Sequence, residues 1–311
     1  MNFSPPLLLT TFTSVLSLGL WWGYAEHSRS FDASTSETLM QTLLEGSDQE
    51  EAALDLTKRI GNQDATPRAI TNPAGPKAGR SIDPELKVAL LSQSPPRSIA
   101  LQDGARCRRS TGEILTASTM KDLLSVQKPD VISCGGEGGR VLVNDRAYEG
   151  TIHLLNRGKG WTAINQIKLE RYVASVMGAE MPSHWNEEAL KAQAVAARSY
   201  ALVHVIRPAR DDWNLGDTTR WQAYSGLMSK TASTRKAASA TSGIVLSFQG
   251  GLVESLYAAT REISAEAHGH LGASMSQHGA QKLAEGGLRF NEILSRYYVG
   301  ASLARIRTDE K

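Results

Sequence analysis

The stretch that decides the fold lies at residues 140–167 and reads RVLVNDRAYEGTIHLLNRGKGWTAINQI. It contains three strand-like runs, at 140–143, 148–155 and 161–167, in which β-branched and aromatic side chains are frequent. Short turn sequences rich in Asn, Asp and Gly separate the runs. We therefore expect an antiparallel meander here.

Helical patterns follow the meander directly. The first covers 169–178. The second begins at Asn186, a residue type that caps helix N-termini, with Glu187 and Glu188 in the first turn, where the helix dipole favours negative charge. Further expected elements are helices at 237–242, 277–287 and 290–298 and a hairpin formed by 244–248 and 252–258. Strands followed by helices, without regular alternation, predict an α+β fold in which antiparallel strands pack with several helices.

The N-terminal third differs from this region in composition. Residues 5–24 carry no charged side chain and are largely apolar, which predicts a signal peptide or membrane anchor at 1–25. Residues 26–96 are polar and contain many Pro, Gly and Ala residues, which predicts a low-complexity linker. The folded domain is then expected at 97–311. We expect an exported protein of the periplasm or cell wall that contacts the membrane only through its N-terminal segment.

The balance of charges excludes one class of partner. The 311 residues include 34 Lys and Arg against 32 Asp and Glu, a formal net charge of +2, and there is no basic block that would follow a phosphate backbone. Nucleic acid is therefore not expected as a partner. The two cysteines, Cys107 and Cys134, either form a disulfide in an oxidising compartment or remain free thiols, and their spacing is not that of a structural metal site.

The sequence GAEMP at 178–182, between the two central helices, holds the first candidate for chemistry. Pro182 disfavours helical geometry at Met181, so Glu180 is expected at a stiff corner between helices. A carboxyl group that is held there and partly buried has a raised pKa, which suits a general acid. A solvent-exposed loop carboxylate is the ordinary alternative.

Longer motifs relate this corner to a known family. The residues at 172–176, 178–182 and 189–202, together with Trp185, resemble the signature of the stage II sporulation protein D family, also called SpoIID/LytB. Later elements that also match the family pattern are QAYSG at 222–226, MSQHGA at 275–280 and ILSRYYVG at 293–300. The resemblance covers residues 140–306.

The resemblance implies a lytic transglycosylase. Such enzymes cleave peptidoglycan glycan strands between N-acetylmuramic acid and N-acetylglucosamine and leave a 1,6-anhydro end. By this comparison Glu180 is the catalytic acid/base, and one carboxylate suffices because the sugar's own 6-hydroxyl is the nucleophile. No cofactor and no metal are expected.

Other polar and aromatic residues are expected around the sugar. Those predicted to bind substrate are Trp185, Gln193, Arg198, Tyr224 and Gln277. Core packing is the alternative for the two aromatic residues, and a pairing between helices is the alternative for Arg198. Three further carboxylates, Glu187, Asp212 and Asp217, are interpreted as caps or solvated charges.

The chain also departs from the family pattern. The Ser-Thr-x-Gly-Gly turn expected after 256–260 is absent, and a segment that most relatives carry before Met275 is missing. Three nearby histidines, His268, His270 and His278, lack a carboxylate in the right register, so we interpret them as surface or groove residues. Two alternatives to an active enzyme therefore stay open. One is a peptidoglycan-binding or amidase-enhancing module with a cell-wall amidase as partner, and the other is a structural envelope protein.

Overall fold

A computed structural model describes Pro76 and the residues 81–268 and 273–307. The signal or anchor expected at 1–25 and most of the linker expected at 26–96 lie outside the described residues. Sheets and helices within the described ranges confirm the α+β class. Among these residues, no helix has the length and apolar character that crossing a bilayer requires.

The strands form four sheets within the described ranges. Their bounds are β1 Glu85–Ala89, β2 Ile99–Gln102, β3 Arg106–Arg109, β4 Ile114–Leu115, β5 Asp130–Gly135, β6 Arg140–Val143, β7 Arg146–Tyr148, β8 Thr151–Asn156, β9 Trp161–Lys168, β10 Leu215–Gly216, β11 Ile244–Phe248, β12 Gly251–Leu252, β13 Leu256–Ala258, β14 Ser274–Ser276 and β15 Ser302–Arg305. The largest sheet has the order β10-β1-β9-β8-β5-β3-β4, and all its neighbours are antiparallel except β1 and β10. The smaller sheets are β2-β6-β7, β12-β11-β15 and the parallel pair β13-β14.

Within the described ranges, four of the seven helices lie close to predicted positions, one is displaced, and two, at 117–125 and 261–268, were not predicted. Their bounds are α1 Ala117–Ser125, α2 Leu169–Glu180, α3 Glu187–Ile206, α4 Ala232–Ala240, α5 Arg261–His268, α6 Gln277–Glu285 and α7 Phe290–Tyr297. Asn186 caps α3 as predicted, because its Oδ1 accepts a hydrogen bond of 2.9 Å from the backbone N–H of Glu188. The helix predicted at 237–242 begins earlier than expected, since Thr231 caps α4 by accepting from the N–H of Thr234 at 3.2 Å.

The predicted antiparallel pairing of β8 with β9 is correct, whereas the prediction of one continuous strand over 148–155 is wrong. That run is divided at Gly150, so that β7 lies in a three-stranded sheet and β8 in the seven-stranded one. Gly150 has φ of +81°, and a Cβ there would overlap the carbonyl oxygen of Gln166. Only glycine fits such a bend, and the bend carries the chain from one sheet to the other.

The predicted hairpin is correct in its first half only. β11 pairs with β12 across a turn at Gln249 and Gly250, whereas β13 pairs in parallel with β14. Ser255, which is fully buried, donates from Oγ to the carbonyl oxygen of Ala196 at 2.7 Å. This contact draws the chain onto α3 before β13 begins.

The domain also begins earlier than the predicted boundary at residue 97. β1 lies between β9 and β10, with Leu86 opposite Ile167 and Val88 opposite Asn165. Both Leu86 and Val88 are buried. The assignment of 85–89 to a linker is therefore wrong, because these residues complete the largest sheet.

The two cysteines form a disulfide. Cys107 on β3 and Cys134 on β5 are paired directly across the sheet, and both are fully buried. Of the two possibilities left by the sequence, the structure therefore has the cross-linked one.

Candidate functional site

Glu180 is the last residue of α2, at the corner that the sequence predicts. Two positions earlier, Gly178 lets the helix contact the turn at 226–229, because a Cβ there would overlap the carbonyl oxygen of Ser229. Ser175 strengthens this contact by donating from Oγ to the carbonyl oxygen of Gly226 at 2.5 Å. Small residues on one face of α2 thus fix the end of the helix and the carboxylate that it carries.

The carboxyl group of Glu180 is largely enclosed, and this burial raises its pKa above the ordinary value of 4.5. Two groups oppose the effect of burial. The backbone N–H of Ala223 donates to Oε1 at 2.7 Å, and the side chain of Gln277 lies close enough to lower the pKa as well. The net shift is upward, so Glu180 keeps its proton closer to neutral pH than an exposed carboxyl does, as a general acid requires.

The side chain of Gln222 anchors the segment that faces Glu180. Its Oε1 accepts from the hydroxyl of Tyr172 at 2.9 Å. Its Nε2 donates to the carbonyl oxygen of Ala197 at 3.1 Å and to the hydroxyl of Tyr257 at 2.9 Å. One buried amide therefore ties together α2, α3 and β13.

Tyr224 anchors the same segment two residues later. Its hydroxyl donates to Oδ1 of Asn165 on β9 at 2.6 Å, and its ring is buried. With Gln222 and Tyr224 both turned into the core, the N–H of the intervening Ala223 points at Glu180. The prediction that Tyr224 lines a sugar groove is wrong, because the core encloses its ring and its hydroxyl is already bonded.

Tyr257 is a residue near Glu180 that sequence reasoning missed. Burial and the charge of Glu180 both raise the pKa of its hydroxyl. Since this hydroxyl accepts a hydrogen bond from Gln222, its own proton remains available to a further acceptor. The available signal was its place in a short strand directly before the sequence departs from the family pattern.

Two of the residues predicted to bind substrate lie near the start of α6: Gln277 is its first residue, and Trp185 packs against it. Gln277, 4% exposed, is the first residue of α6 and adjoins Glu180; within the described part of the chain its Nε2 has no hydrogen bond. Trp185 packs partly against the core and meets the ring of His278 edge-on, with centroids 4.8 Å apart. The structure thus brings Trp185 and the N-terminus of α6 together.

Gln193 is fully buried on α3. Neither Nε2 nor Oε1 of this side chain has a hydrogen-bond partner among the described residues. It lies four and seven positions before Ala197 and Tyr200, hence on the helix face that contacts Gln222. Its role as a substrate contact therefore stays a prediction.

The prediction that Arg198 contacts the substrate is wrong. Its side chain has 0% exposure, and it donates from Nε and Nη2 to the carboxylate of Glu170 at 2.9 and 2.7 Å. It also donates to the carbonyl oxygens of Ile244 at 3.0 Å and Ala238 at 3.2 Å. The alternative of a structural pairing holds, and the pairing joins α2, α3, α4 and β11.

The side-chain carboxylates of the other three acidic residues bind groups other than those that surround Glu180. Glu187 is bound by Lys191 at 3.0 Å and by Lys236, and Asp212 is bound by Arg157, so both are surface ion pairs. Asp217 differs from its interpretation as a cap or solvated charge.

Asp217 is only 4% exposed and accepts from the backbone N–H of Ser92 at 2.9 Å. Burial raises its pKa, and its bonds to Ser92 partly offset that rise. We interpret Asp217 as a structural group that ties β10 to the turn after β1.

The residues that the structure describes contain no group of three or more His, Cys, Asp or Glu that could hold a metal ion. His270 lies outside the described residues, and His278 contacts Trp185.

Comparison with known proteins bears on the segment that forms this site. Residues 157–248 match the SpoIID family model, described as stage II sporulation protein. An uncharacterized protein of Brachyspira hyodysenteriae is 30% identical over 118 residues, which is 38% of this chain and 32% of that protein. A Bacillus subtilis protein named amidase enhancer is 39% identical over 85 residues, which is 27% of this chain and 11% of that protein. The chain thus spans a third or less of the length of these curated relatives.

Proposed function

We propose that this chain, whose residues 157–248 match the SpoIID family model, is a lytic transglycosylase that cleaves peptidoglycan glycan strands with Glu180 as its single acid/base. The observation that carries the proposal is the enclosed carboxyl of Glu180. Its pKa is raised by burial, and its Oε1 is held by the Ala223 N–H at 2.7 Å.

The proposed reaction uses one carboxyl group twice. Glu180 first donates its proton to the glycosidic oxygen as the bond from that oxygen to C1 of the muramic acid breaks. It then accepts the proton of the same sugar's 6-hydroxyl, whose oxygen forms the new bond to C1. Glu180 thus regains the proton that it donated, and no water is consumed. The paired carboxylates of hydrolytic glycosidases are therefore not required.

Neighbouring groups have supporting roles in this proposal. Gln277 and Tyr257, which adjoin Glu180, are suited to hydrogen-bond sugar hydroxyl or acetamido groups, and Trp185 offers a partly exposed ring at the same end of α6. Gln193 lies on the α3 face that contacts Gln222, and its two amide atoms have no hydrogen-bond partner among the described residues. Arg198 and Tyr224 act through the scaffold and not on the substrate.

The direct test is digestion of purified glycan strands, with and without stem peptides, by the full-length chain and by Glu180→Gln, with products identified by mass. We expect 1,6-anhydro ends from the unmodified chain alone. Equal amounts from both proteins would assign the chemistry to another group. A catalytic carboxyl typically accounts for about 10²–10⁴-fold in rate, so the contrast is measurable.

A second candidate function is enhancement of a cell-wall amidase without turnover. The relative named amidase enhancer favours it, as does the missing segment before Met275. In this case the unmodified chain and Glu180→Gln would both bind the polymer and raise the rate of an added amidase equally, and neither would release anhydro ends.

The proposed site of action is outside the cytoplasm. A buried disulfide between Cys107 and Cys134 is typical of proteins that fold in an oxidising compartment. A peptidoglycan substrate requires the same location.

A further inference from the structure

Two consecutive residues of one segment hold the carboxyl group of Glu180 and the hydroxyl group of Tyr257. The backbone N–H of Ala223 donates to Oε1 of Glu180 at 2.7 Å. The side chain of the preceding residue, Gln222, donates from Nε2 to the hydroxyl oxygen of Tyr257 at 2.9 Å. Because both groups are bound by the same short piece of chain, their relative positions are fixed together.

A backbone carbonyl determines which way the amide of Gln222 points. The carbonyl oxygen of Ala197 lies 3.1 Å from Nε2 of Gln222, and a carbonyl oxygen can only accept a hydrogen bond. The group at this position must therefore be the NH₂ of the amide and not its oxygen. Since the same NH₂ group contacts Tyr257, the Tyr257 oxygen accepts this bond and its own proton points elsewhere.

Three of the described tyrosines have a pKa that the charge of Glu180 raises. They are Tyr172, Tyr200 and Tyr257. Tyr172 already donates its proton to Oε1 of Gln222 at 2.9 Å. Tyr200 is affected more strongly by the charge of Glu254 than by that of Glu180. For Tyr257, Glu180 is the charge with the largest effect, so Tyr257 combines an undonated proton with proximity to the candidate acid/base.

The pairing of β13 with β14 places Tyr257 beside the same corner independently of any charge effect. Tyr257 is followed by Ala258, which lies opposite Ser276. The residue after Ser276 is Gln277, whose side chain adjoins Glu180. Within the described part of the chain, no hydrogen bond joins the Tyr257 hydroxyl to Glu180. The two groups are thus near each other without being bonded, an arrangement that admits a substrate oxygen between them.

We propose that the hydroxyl of Tyr257 donates a hydrogen bond to the same glycosidic oxygen that Glu180 protonates, which makes Tyr257 a second catalytic residue. A glycosidic oxygen has two lone pairs, so it can receive the proton of Glu180 on one and the hydrogen bond of Tyr257 on the other. The proton of Tyr257 is shared and not transferred, so the proton transfers assigned to Glu180 are unchanged. This role rests on the proposed function for the identity of the reaction.

The hydrogen bond from Tyr257 would stabilise the transition state more than the bound substrate. Negative charge develops on the glycosidic oxygen as its bond to C1 breaks, and a donor that is already aimed at this oxygen favours that charge. Burial and the charge of Glu180 keep the pKa of Tyr257 above its ordinary value of 10.0, so the phenol remains a donor at neutral pH. Gln222 is then a positioning residue, because it directs this donor without contacting substrate.

Kinetics of full-length Tyr257→Phe on purified glycan strands test this role. We expect kcat for anhydro-product formation to fall about 10²-fold and KM to rise only about threefold, because the bond strengthens in the transition state. Tyr172→Phe is the matched control, since it removes the hydroxyl on the other side of the same Gln222 amide. It should lower the melting temperature about as much as Tyr257→Phe does and leave kcat almost unchanged. An equal fall of kcat in both variants would overturn the inference, because it would show that Tyr257 acts only through the packing of Gln222.

A binding measurement keeps the contact testable if the chain has no turnover. The probe is a peptide-free tetrasaccharide of alternating N-acetylglucosamine and N-acetylmuramic acid, titrated calorimetrically into Glu180→Gln and into Glu180→Gln/Tyr257→Phe. We expect the double variant to bind about threefold more weakly.

The two assays separate this contact from the proposed reaction. If the unmodified chain releases no anhydro ends and the loss of the Tyr257 hydroxyl still weakens binding, the proposed reaction is wrong and the contact is supported. If Tyr257→Phe releases anhydro ends at the normal rate, the reaction is supported and the role of Tyr257 is overturned. Unchanged binding together with an absence of anhydro ends would overturn both.

Discussion

The guanidinium of Arg198 donates two parallel hydrogen bonds to the carboxylate of Glu170, and the arginine side chain has no exposed surface. Glu170 also accepts from the backbone N–H of Gly243 at 3.0 Å. The pair therefore holds α2 against α3 and against the start of β11. A buried charge of this kind contributes to stability only while its partner is present.

Removing one member of this pair should be strongly destabilising. We expect Arg198→Met to lower the free energy of unfolding by about 3–5 kcal/mol, because Glu170 then stays largely buried without its cation. Urea denaturation followed by circular dichroism measures the change. Arg157→Met removes an exposed arginine from its pair with Asp212 and should leave the midpoint almost unaltered. Equal midpoints for Arg198→Met and the unmodified chain would contradict the structural role.

The contact of Gly178 with Ser229 predicts a coupled loss of stability and activity. A methyl group at this position has no room, so Gly178→Ala should cost about 1–3 kcal/mol and displace the end of α2 that carries Glu180. Gly251→Ala is the matched control, since its Cβ would lie 3.4 Å from the carbonyl oxygen of Phe248, an ordinary contact. Melting temperatures and rates of anhydro-product formation for both variants test this prediction. A normal rate for Gly178→Ala would show that the reaction does not depend on the position of the end of α2.

The raised pKa of Glu180 makes the protein's stability dependent on pH. The folded state holds the proton more tightly than the unfolded chain, so this group's contribution is fully present below its ordinary pKa of 4.5 and is lost as pH rises through the raised value. Glutamine does not ionise, so Glu180→Gln avoids the destabilisation that an ionised, buried carboxylate causes at neutral pH. Its melting temperature should exceed that of the unmodified chain at neutral pH, and the difference should shrink towards acid pH. A difference that is constant with pH would show that ionisation is not the cause.

Gln277 should tune the pH range of the reaction. Its side chain lowers the pKa of Glu180, so Gln277→Leu should raise that pKa further and move the alkaline fall of kcat/KM to higher pH. Substrate affinity is expected to weaken as well, which the separate kcat and KM profiles will reveal. Gln102→Leu, at an exposed position on β2, should leave the profile in place. A shift to lower pH would reverse the assigned effect of Gln277.

The Cys107–Cys134 disulfide should contribute substantially to stability. The cysteines are 27 residues apart, and the loss of loop entropy in the unfolded chain for such a separation is worth about 3–4 kcal/mol. Reductant should therefore lower the melting temperature of the unmodified chain, while Cys107→Ala/Cys134→Ala should melt lower and not respond to reductant. Two titratable thiols in the untreated protein would show that the bond is absent.

Local signals predicted the parts of the site that depend on neighbouring residues in the chain. The cap at Asn186 and the corner at Glu180 both follow from side chains within a few positions, as does the break before Pro182. Gln277 was found through its motif and does adjoin Glu180.

The remainder depended on contacts between distant residues. Arg198 and Tyr224 have the chemistry of sugar-binding residues, and only their bonds to Glu170 and Asn165 show that they are buried supports. The sequence predicts a linker at β1 because a five-residue strand gives little signal without its partner β9, about 80 residues later in the chain. Sequence periodicity carries no information about such pairings.

The parallel pairing of β13 and β14 fixes both ends of the excursion that separates them. Leu256 lies opposite Ser274 and Ala258 opposite Ser276, so the chain leaves and returns at one place, beside Tyr257 and next to Gln277. The entropic cost of closing a loop grows only slowly with its length. Since β13 and β14 hold both ends, we expect that the number of residues between them can change while the corner at Glu180 keeps its shape.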